Sequence, residues 1–354
     1  MDLNETFPRM KAVQQPKEDI LTDQPPAVVV QDEAKKSQKK SAVGLVVRAV
    51  VTVLLFAFLL RSVSWSRLVS TLVHVDHTYL LMGLAAGVLC IFFSAYGWRS
   101  VLLAQNIKAD LATLIDLYLV GIGFSHFLPT SMGGDAVKAF YVGRDSGDMV
   151  GAASATLMSR ITSFLGMLLL ALPGLAIFHR YFPSQIVIEF LLLTLLLIGA
   201  IIGAFLTSAF LPKLSSRFLK EGWTNNRMFM KFLEVGEALK TSIRRTRFMV
   251  AGTLFGMLFW IASFLNYFGY ASALGLHVPL PFYVIAIPFV SIVSFLPISI
   301  NGFGVREGTF VYLFSTIHVP TSTALLLVLL VDTQVLLFGL IGGCLYSVMS
   351  KGEK

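Results

Sequence analysis

Charge is the scarcest thing in this sequence. Of 354 residues only 14% are Asp, Glu, Lys or Arg, while 56% are hydrophobic; an ordinary soluble domain carries nearly twice that share of charge. The shortage excludes a water-soluble globule of this length. Cysteine is almost missing as well. Cys90 and Cys344 both lie within apolar runs and give neither a metal-ligand spacing nor a disulfide framework. Enzymatic signatures are absent too: there is no phosphate-binding loop, zinc-helix motif or nucleophile elbow, and the six histidines are scattered. The expectation is a protein that is not an enzyme, with no cofactor and no metal. Residues 1–40 lack the apolar segment and small-residue cleavage site of a secretory signal. Their four prolines and seven basic against seven acidic residues read as a disordered, neutral cytoplasmic tail.

What is present is apolar sequence in runs long enough to cross a bilayer, which takes roughly 18–20 residues. Such runs fall at about 43–63, 78–98, 150–178, 186–211, 248–273 and 322–348. Two shorter apolar segments, about 110–128 and 280–297, run into Pro/Gly-rich stretches. The segment 213–247 carries nine Lys/Arg against three Asp/Glu, and short basic loops stay on the cytoplasmic side. Lys35, Lys36, Lys39 and Lys40 hold the N-terminus there as well, so an even number of crossings separates the two. That count admits 110–145 only as a re-entrant hairpin from the cytoplasmic face. The same reasoning makes 280–316 a hairpin from the opposite face and leaves Lys351 and Lys354 inside. The fold expected is an all-α polytopic membrane protein of about six full spans plus two oppositely inserted re-entrant helical hairpins. It occupies residues 41–350, with inverted repeat halves at about 78–178 and 248–348. The basic loop 213–247, with Phe218, Trp223, Met228, Phe232 and Leu239 among its cations, reads as an interfacial amphipathic element. Nucleic acid is not expected as a partner, because the basic excess already follows from topology.

The two hairpin tips match each other. "FLPTSMGGDAVKAF", Phe127–Phe140, and "FLPISINGFGVREG", Phe295–Gly308, share Phe, Leu, Pro, Ser, Gly and Val at a constant offset, and Lys138 aligns with Arg306. Proline removes a backbone donor and drives the preceding residue out of the helical region. Helices should therefore stop near Leu128 and Leu296, at Pro129 and Pro297. Gly133, Gly134, Asn301, Gly302 and Gly304 allow the reversal. Each second helix would begin at mid-membrane depth, its N–H groups and positive dipole end forming a seat for an anion. Lys138 and Arg306 would add full charge there. Asp135 reads either as a helix cap or as a site residue, and Glu307 as a partner of Arg306. Arg160 and Asp332 stand at similar depths in 150–178 and 322–348. They would meet near the repeat axis, either as a structural ion pair or as substrate and gating groups. Asn266, Tyr267 and Tyr270 read as an aromatic packing face rather than a cavity wall.

The strings "FLPTSMGGDAVKAFYVGR", "SRITSFLG" and "SFLPISINGFGVREG" resemble the lysylphosphatidylglycerol synthase transmembrane region, also called the flippase-like membrane domain family, over about residues 42–348. The resemblance implies a lipid translocator. It carries over Pro129, Gly133, Gly134, Asp135, Lys138, Arg160, Pro297, Gly302, Gly304, Arg306 and Glu307 as family positions. Lys138 stands where arginine is common and Ser159 where an acidic residue is frequent, departures that bear on the headgroup. The chain ends just after its last span, so the soluble transferase of the aminoacyl-lipid synthases is expected to be absent, with any lipid-modifying enzyme encoded separately. The expected function is movement of an anionic, aminoacylated or polyprenyl-phosphate lipid across the cytoplasmic (inner) membrane, with both termini cytoplasmic. Membrane lipids are the expected partners; the oligomeric state stays open. The alternatives are an ion-coupled transporter of a small anionic solute and a non-transporting scaffold.

Overall fold

A chain this apolar has little choice of secondary structure. Backbone groups facing hydrocarbon must bond within their own segment, which leaves the helix. The structure, a computed structural model, describes residues 75–127, 133–218, 227–296, 299 and 302–349, and among these there are ten α-helices and no strand. In chain order they are α1 His77–Ala104, α2 Leu111–Phe127, α3 Gly133–Ser146, α4 Met149–Phe178, α5 Ser184–Phe218, α6 Arg227–Arg244, α7 Thr246–Ala273, α8 Leu280–Phe295, α9 Val305–Ser315 and α10 Thr321–Met349. A 3₁₀ turn, His179–Tyr181, follows α4.

Five helices, α1, α4, α5, α7 and α10, are long and apolar enough to cross a membrane. They are the five predicted spans that fall within the described residues; the tail 1–40, the span 43–63, Pro129, Pro297, Asn301, Lys351 and Lys354 lie outside them. Sequence explains the boundaries. Asp76 caps α1, its Oδ1 accepting from Thr78 N at 2.8 Å and Tyr79 N at 3.4 Å, and Asp148 caps α4 by accepting from Gly151 N at 2.7 Å. The short helix α8 ends at Phe295. Leu296, the residue before proline, is extended at φ −65°, ψ 135°, as the clash with the proline ring demands.

Packing exchanges partners in a regular way: α1 lies along α7, α2 along α10, and α8 against α4. Small residues permit the close approaches. A Cβ on Gly123 would sit 2.7 Å from the Gly339 carbonyl oxygen, and one on Gly342 only 2.1 Å from that of Leu119. Each crossing of α2 over α10 is therefore backbone against backbone. Some polar groups within the bundle are paired across helices. Asn266 on α7 donates to Gly83 O on α1 at 2.7 Å and to Gln334 Oε1 on α10 at 2.8 Å, and Gln334 donates on to Leu84 O at 3.0 Å. One apolar core gathers α4, α5, α7, α8, α9 and α10 around Phe282, Tyr283, Phe310 and Phe314. A second, around Trp98, Leu114, Leu117 and Val142, joins α1, α2, α3 and α4.

The predicted amphipathic loop contains α6. Its Leu239 enters the second core, and Gln105 at the end of α1 donates to Ala238 O and Ser242 Oγ, each at 2.6 Å. Glu237, Thr241, Ile243 and Arg244 on the same helix are exposed.

Candidate functional site

A cavity of about 440 Å³ lies between these helices, within the roughly 300–1,000 Å³ usual for small-ligand sites. Its walls come from α1, α2, α3, α4, α7, α8, α9 and α10. Five charged side chains line it: Asp135, Lys138, Arg160, Arg306 and Asp332. Arg160 and Asp332 stand equally far, about 17 Å at 1.5 Å per residue, from the starts of α4 and α10. That is close to half the thickness of a bilayer's hydrocarbon core.

The first cluster belongs to α3 and α4. The Asp135 carboxylate receives Lys138 Nζ at 2.8 Å on Oδ1 and Arg160 Nε at 2.5 Å on Oδ2. Lys138 is one turn along from Asp135, so the helix itself brings the two together. Its ammonium also lies 3.8 Å from the Tyr118 ring centroid and 5.2 Å from that of Trp98, an aromatic enclosure that suits a desolvated cation. Lys138 is buried, with only 7% of its side chain exposed, whereas Arg160 keeps 37% exposed. Arg160 is thus the cation this cluster presents to the cavity. Close helix approach makes the arrangement possible: a Cβ on Gly134 would meet the Gly121 carbonyl oxygen at 2.0 Å.

The second cluster belongs to α9 and α10. Arg306 Nη2 lies 3.0 Å from Glu307 Oε1 and 2.5 Å from Asp332 Oδ1. Glu307 is fully buried behind the cavity wall, and its other oxygen, Oε2, accepts from Gly304 N at 2.5 Å. Gly302 and Gly304 have φ of 76° and 81°, left-handed values that glycine adopts without strain; they turn the chain into α9 so that this cap can form.

These contacts correct two expectations. Arg160 and Asp332 do not pair with each other; each is held by the short helix beside its own span, Arg160 by Asp135 and Asp332 by Arg306. Asp135, in the first turn of α3, meets a side-chain cation on each of its oxygens. The anion seat at the start of α9 is partly filled from within, since the Glu307 carboxylate takes the Gly304 N–H. Gly133 and Gly134 begin α3, with Gly134 on the cavity wall.

Several residues of the site were missed. Tyr118 and Trp98 hold Lys138 but stand in sequence as ordinary aromatics in apolar helices. Tyr267, expected to be a packing residue, lines the cavity while its ring stacks on Phe310 at 4.9 Å. Ser159 and Ser163 on α4 and Ser291 and Ser294 on α8 add hydroxyl groups to the wall. Their one-turn spacings within apolar helices were the available signal. Phe164 and Phe295 meet edge to face at 5.4 Å, and both line the cavity.

Comparison with protein-family models matches residues 45–343 to the lysylphosphatidylglycerol synthase TM region. Neither a curated protein nor a solved structure matches the chain.

Proposed function

The chain belongs to the lysylphosphatidylglycerol synthase TM region family, a multi-pass membrane protein of lipid-related function, and from that premise we propose that it translocates lipid headgroups without altering them chemically. An anionic headgroup, a phospholipid's or a polyprenyl phosphate's, enters the cavity and meets Arg160 and Arg306, while the tails stay in the bilayer. The observation that carries this reading is the convergence of charged groups from α3, α4, α9 and α10 on one cavity near mid-depth. Ionisable groups at such depth are costly and are retained for substrates and ions.

In the same reading α2 with α3 and α8 with α9 are re-entrant hairpins of an inverted repeat. The exchange of partners supports it: each first short helix packs on the last span of the opposite half, α2 on α10 and α8 on α4. Alternating access would then come from one half rocking against the other around the cavity. The membrane is the cytoplasmic one, with both termini inside, on the strength of the basic segment 213–247.

The test is translocation of a labelled short-chain phosphatidylglycerol in proteoliposomes. Arg160→Ala and Arg306→Ala are each expected to lower the rate at least tenfold with protein folding preserved. Rates equal to wild type in both variants would refute the assigned site; uptake of a small anion without lipid movement would instead favour a solute transporter.

A further inference from the structure

Among the described residues, the charges around the cavity balance. Lys138, Arg160 and Arg306 supply three positive charges, and Asp135, Glu307 and Asp332 three negative ones. With all six ionised the empty site is neutral, and it becomes charged as soon as it takes an anion. Uncompensated charge in a low-dielectric surround is strongly unfavourable. The balance is also uneven in space. The α3–α4 cluster has one surplus positive charge; the α9–α10 cluster has one surplus negative charge, two carboxylates leaning on one guanidinium nitrogen.

The two carboxylates are not equivalent. Glu307 is committed on both oxygens, to Arg306 and to Gly304 N. Asp135 is likewise committed on both, to Lys138 and Arg160. Asp332 differs. Its Oδ1 lies 2.5 Å from Arg306 Nη2, a charge contact, and this buried oxygen has no further partner among the described residues. Protonating Glu307 or Asp135 would sacrifice hydrogen bonds made to an ionised carboxylate; protonating Asp332 sacrifices only a charge contact. The other titratable groups around it are Arg306 and Glu307 on α9, the Tyr267 phenol on α7 and the Cys90 thiol near it on α1. Across the cavity stand Tyr118 on α2, Asp135 and Lys138 on α3, and Arg160 on α4. None of these is a carboxylate with a free acceptor.

We propose that Asp332 takes up a proton when an anionic headgroup binds, so that the two cross the membrane together. This rests on the reading of the cavity as a headgroup site. A phosphate oxygen of the headgroup replaces Asp332 at Arg306 Nη2, and a proton from the aqueous side joins an Asp332 oxygen. One negative and one positive charge have then entered, and the cavity is still neutral. On the other face the headgroup leaves, the proton is released to water, and Asp332 returns to Arg306. No covalent bond of the lipid is made or broken.

Calorimetric titration of the full-length protein in an uncharged detergent tests this, using dioctanoyl phosphatidylglycerol near neutral pH in two buffers of different ionisation heat. Wild type is expected to take up about one proton per lipid bound, and Asp332→Asn, still binding, about none. Dioctanoyl phosphatidylcholine, which brings no net charge, is expected to take up about none in wild type. Phosphatidylglycerol binding without proton uptake by wild type overturns the proton site and leaves the headgroup reading intact. No lipid binding at all overturns both. Proton uptake with glycerophosphoglycerol, the same headgroup without tails, but not with the lipid overturns the assignment to a lipid. If Asp332→Asn does not fold, the wild-type arms decide alone.

Discussion

Asp135 holds two cations at once, and this makes it the residue on which the first cluster depends. Removing one partner from a buried ionic group leaves uncompensated charge, an effect of about 3 kcal/mol or more. Asp135→Ala is therefore expected to lower the thermal midpoint in detergent by many degrees, since Lys138 would be left charged among Trp98, Tyr118 and apolar neighbours. The double variant Asp135→Ala, Lys138→Met should recover most of that loss, because the methionine needs no counter-charge and keeps the packing. Equal melting of the single and double variants would show that Lys138 is solvated by something other than Asp135. Sequence made Lys138 visible as a charge beside a Pro/Gly-rich break in an apolar run, but not its enclosure. An aromatic ring beside a lysine in space leaves no spacing to read when the three residues lie on α1, α2 and α3.

At the level of the helices, the crossing of α2 over α10 gives a sharp contrast between adjacent glycines. A Cβ at Gly342 would lie 2.1 Å from Leu119 O and 2.2 Å from its carbonyl carbon, whereas one at Gly343 meets nothing within 4 Å. Backbone cannot turn aside as a side chain can. Gly342→Ala is expected to cost about 1–3 kcal/mol, while Gly343→Ala leaves melting unchanged; fluorescence-detected gel filtration after heating measures both. The ends of these helices were legible because their cause is local. Proline and the residue before it fix where α8 stops and how Leu296 is bent, and the positive φ at Gly302 and Gly304 answers to glycine alone. Which helix each one packs against was not legible, because that is set by where small residues from distant segments coincide. The same blindness produced the expected pairing of Arg160 with Asp332. Equivalent depth in two helices says nothing about which neighbour stands between them.

For the molecule as a whole, the five long apolar helices among the described residues followed from hydropathy. The inverted arrangement itself is open to a direct measurement, which the presence of just two native cysteines makes simple. In a variant with Cys90 and Cys344 replaced by Ala and Ser, Asp145→Cys near the end of α3 and Ser315→Cys at the end of α9 offer exposed thiols. A membrane-impermeant maleimide applied from outside the cell is expected to label Ser315→Cys and spare Asp145→Cys until the membrane is opened. Labelling of both from one side would rule out oppositely inserted hairpins.

The two long spans carry opposite signs at equivalent depth, Arg160 on α4 and Asp332 on α10, although the aligned positions on the short helices, Lys138 and Arg306, are both basic. Two identical halves could never hold such a pattern, since one residue cannot be arginine and aspartate together. The site is therefore directional by composition. In a rocking mechanism the inward- and outward-facing forms would not be mirror images of equal energy, and the protein would rest on one side of the membrane by preference, like a turnstile with a weighted arm.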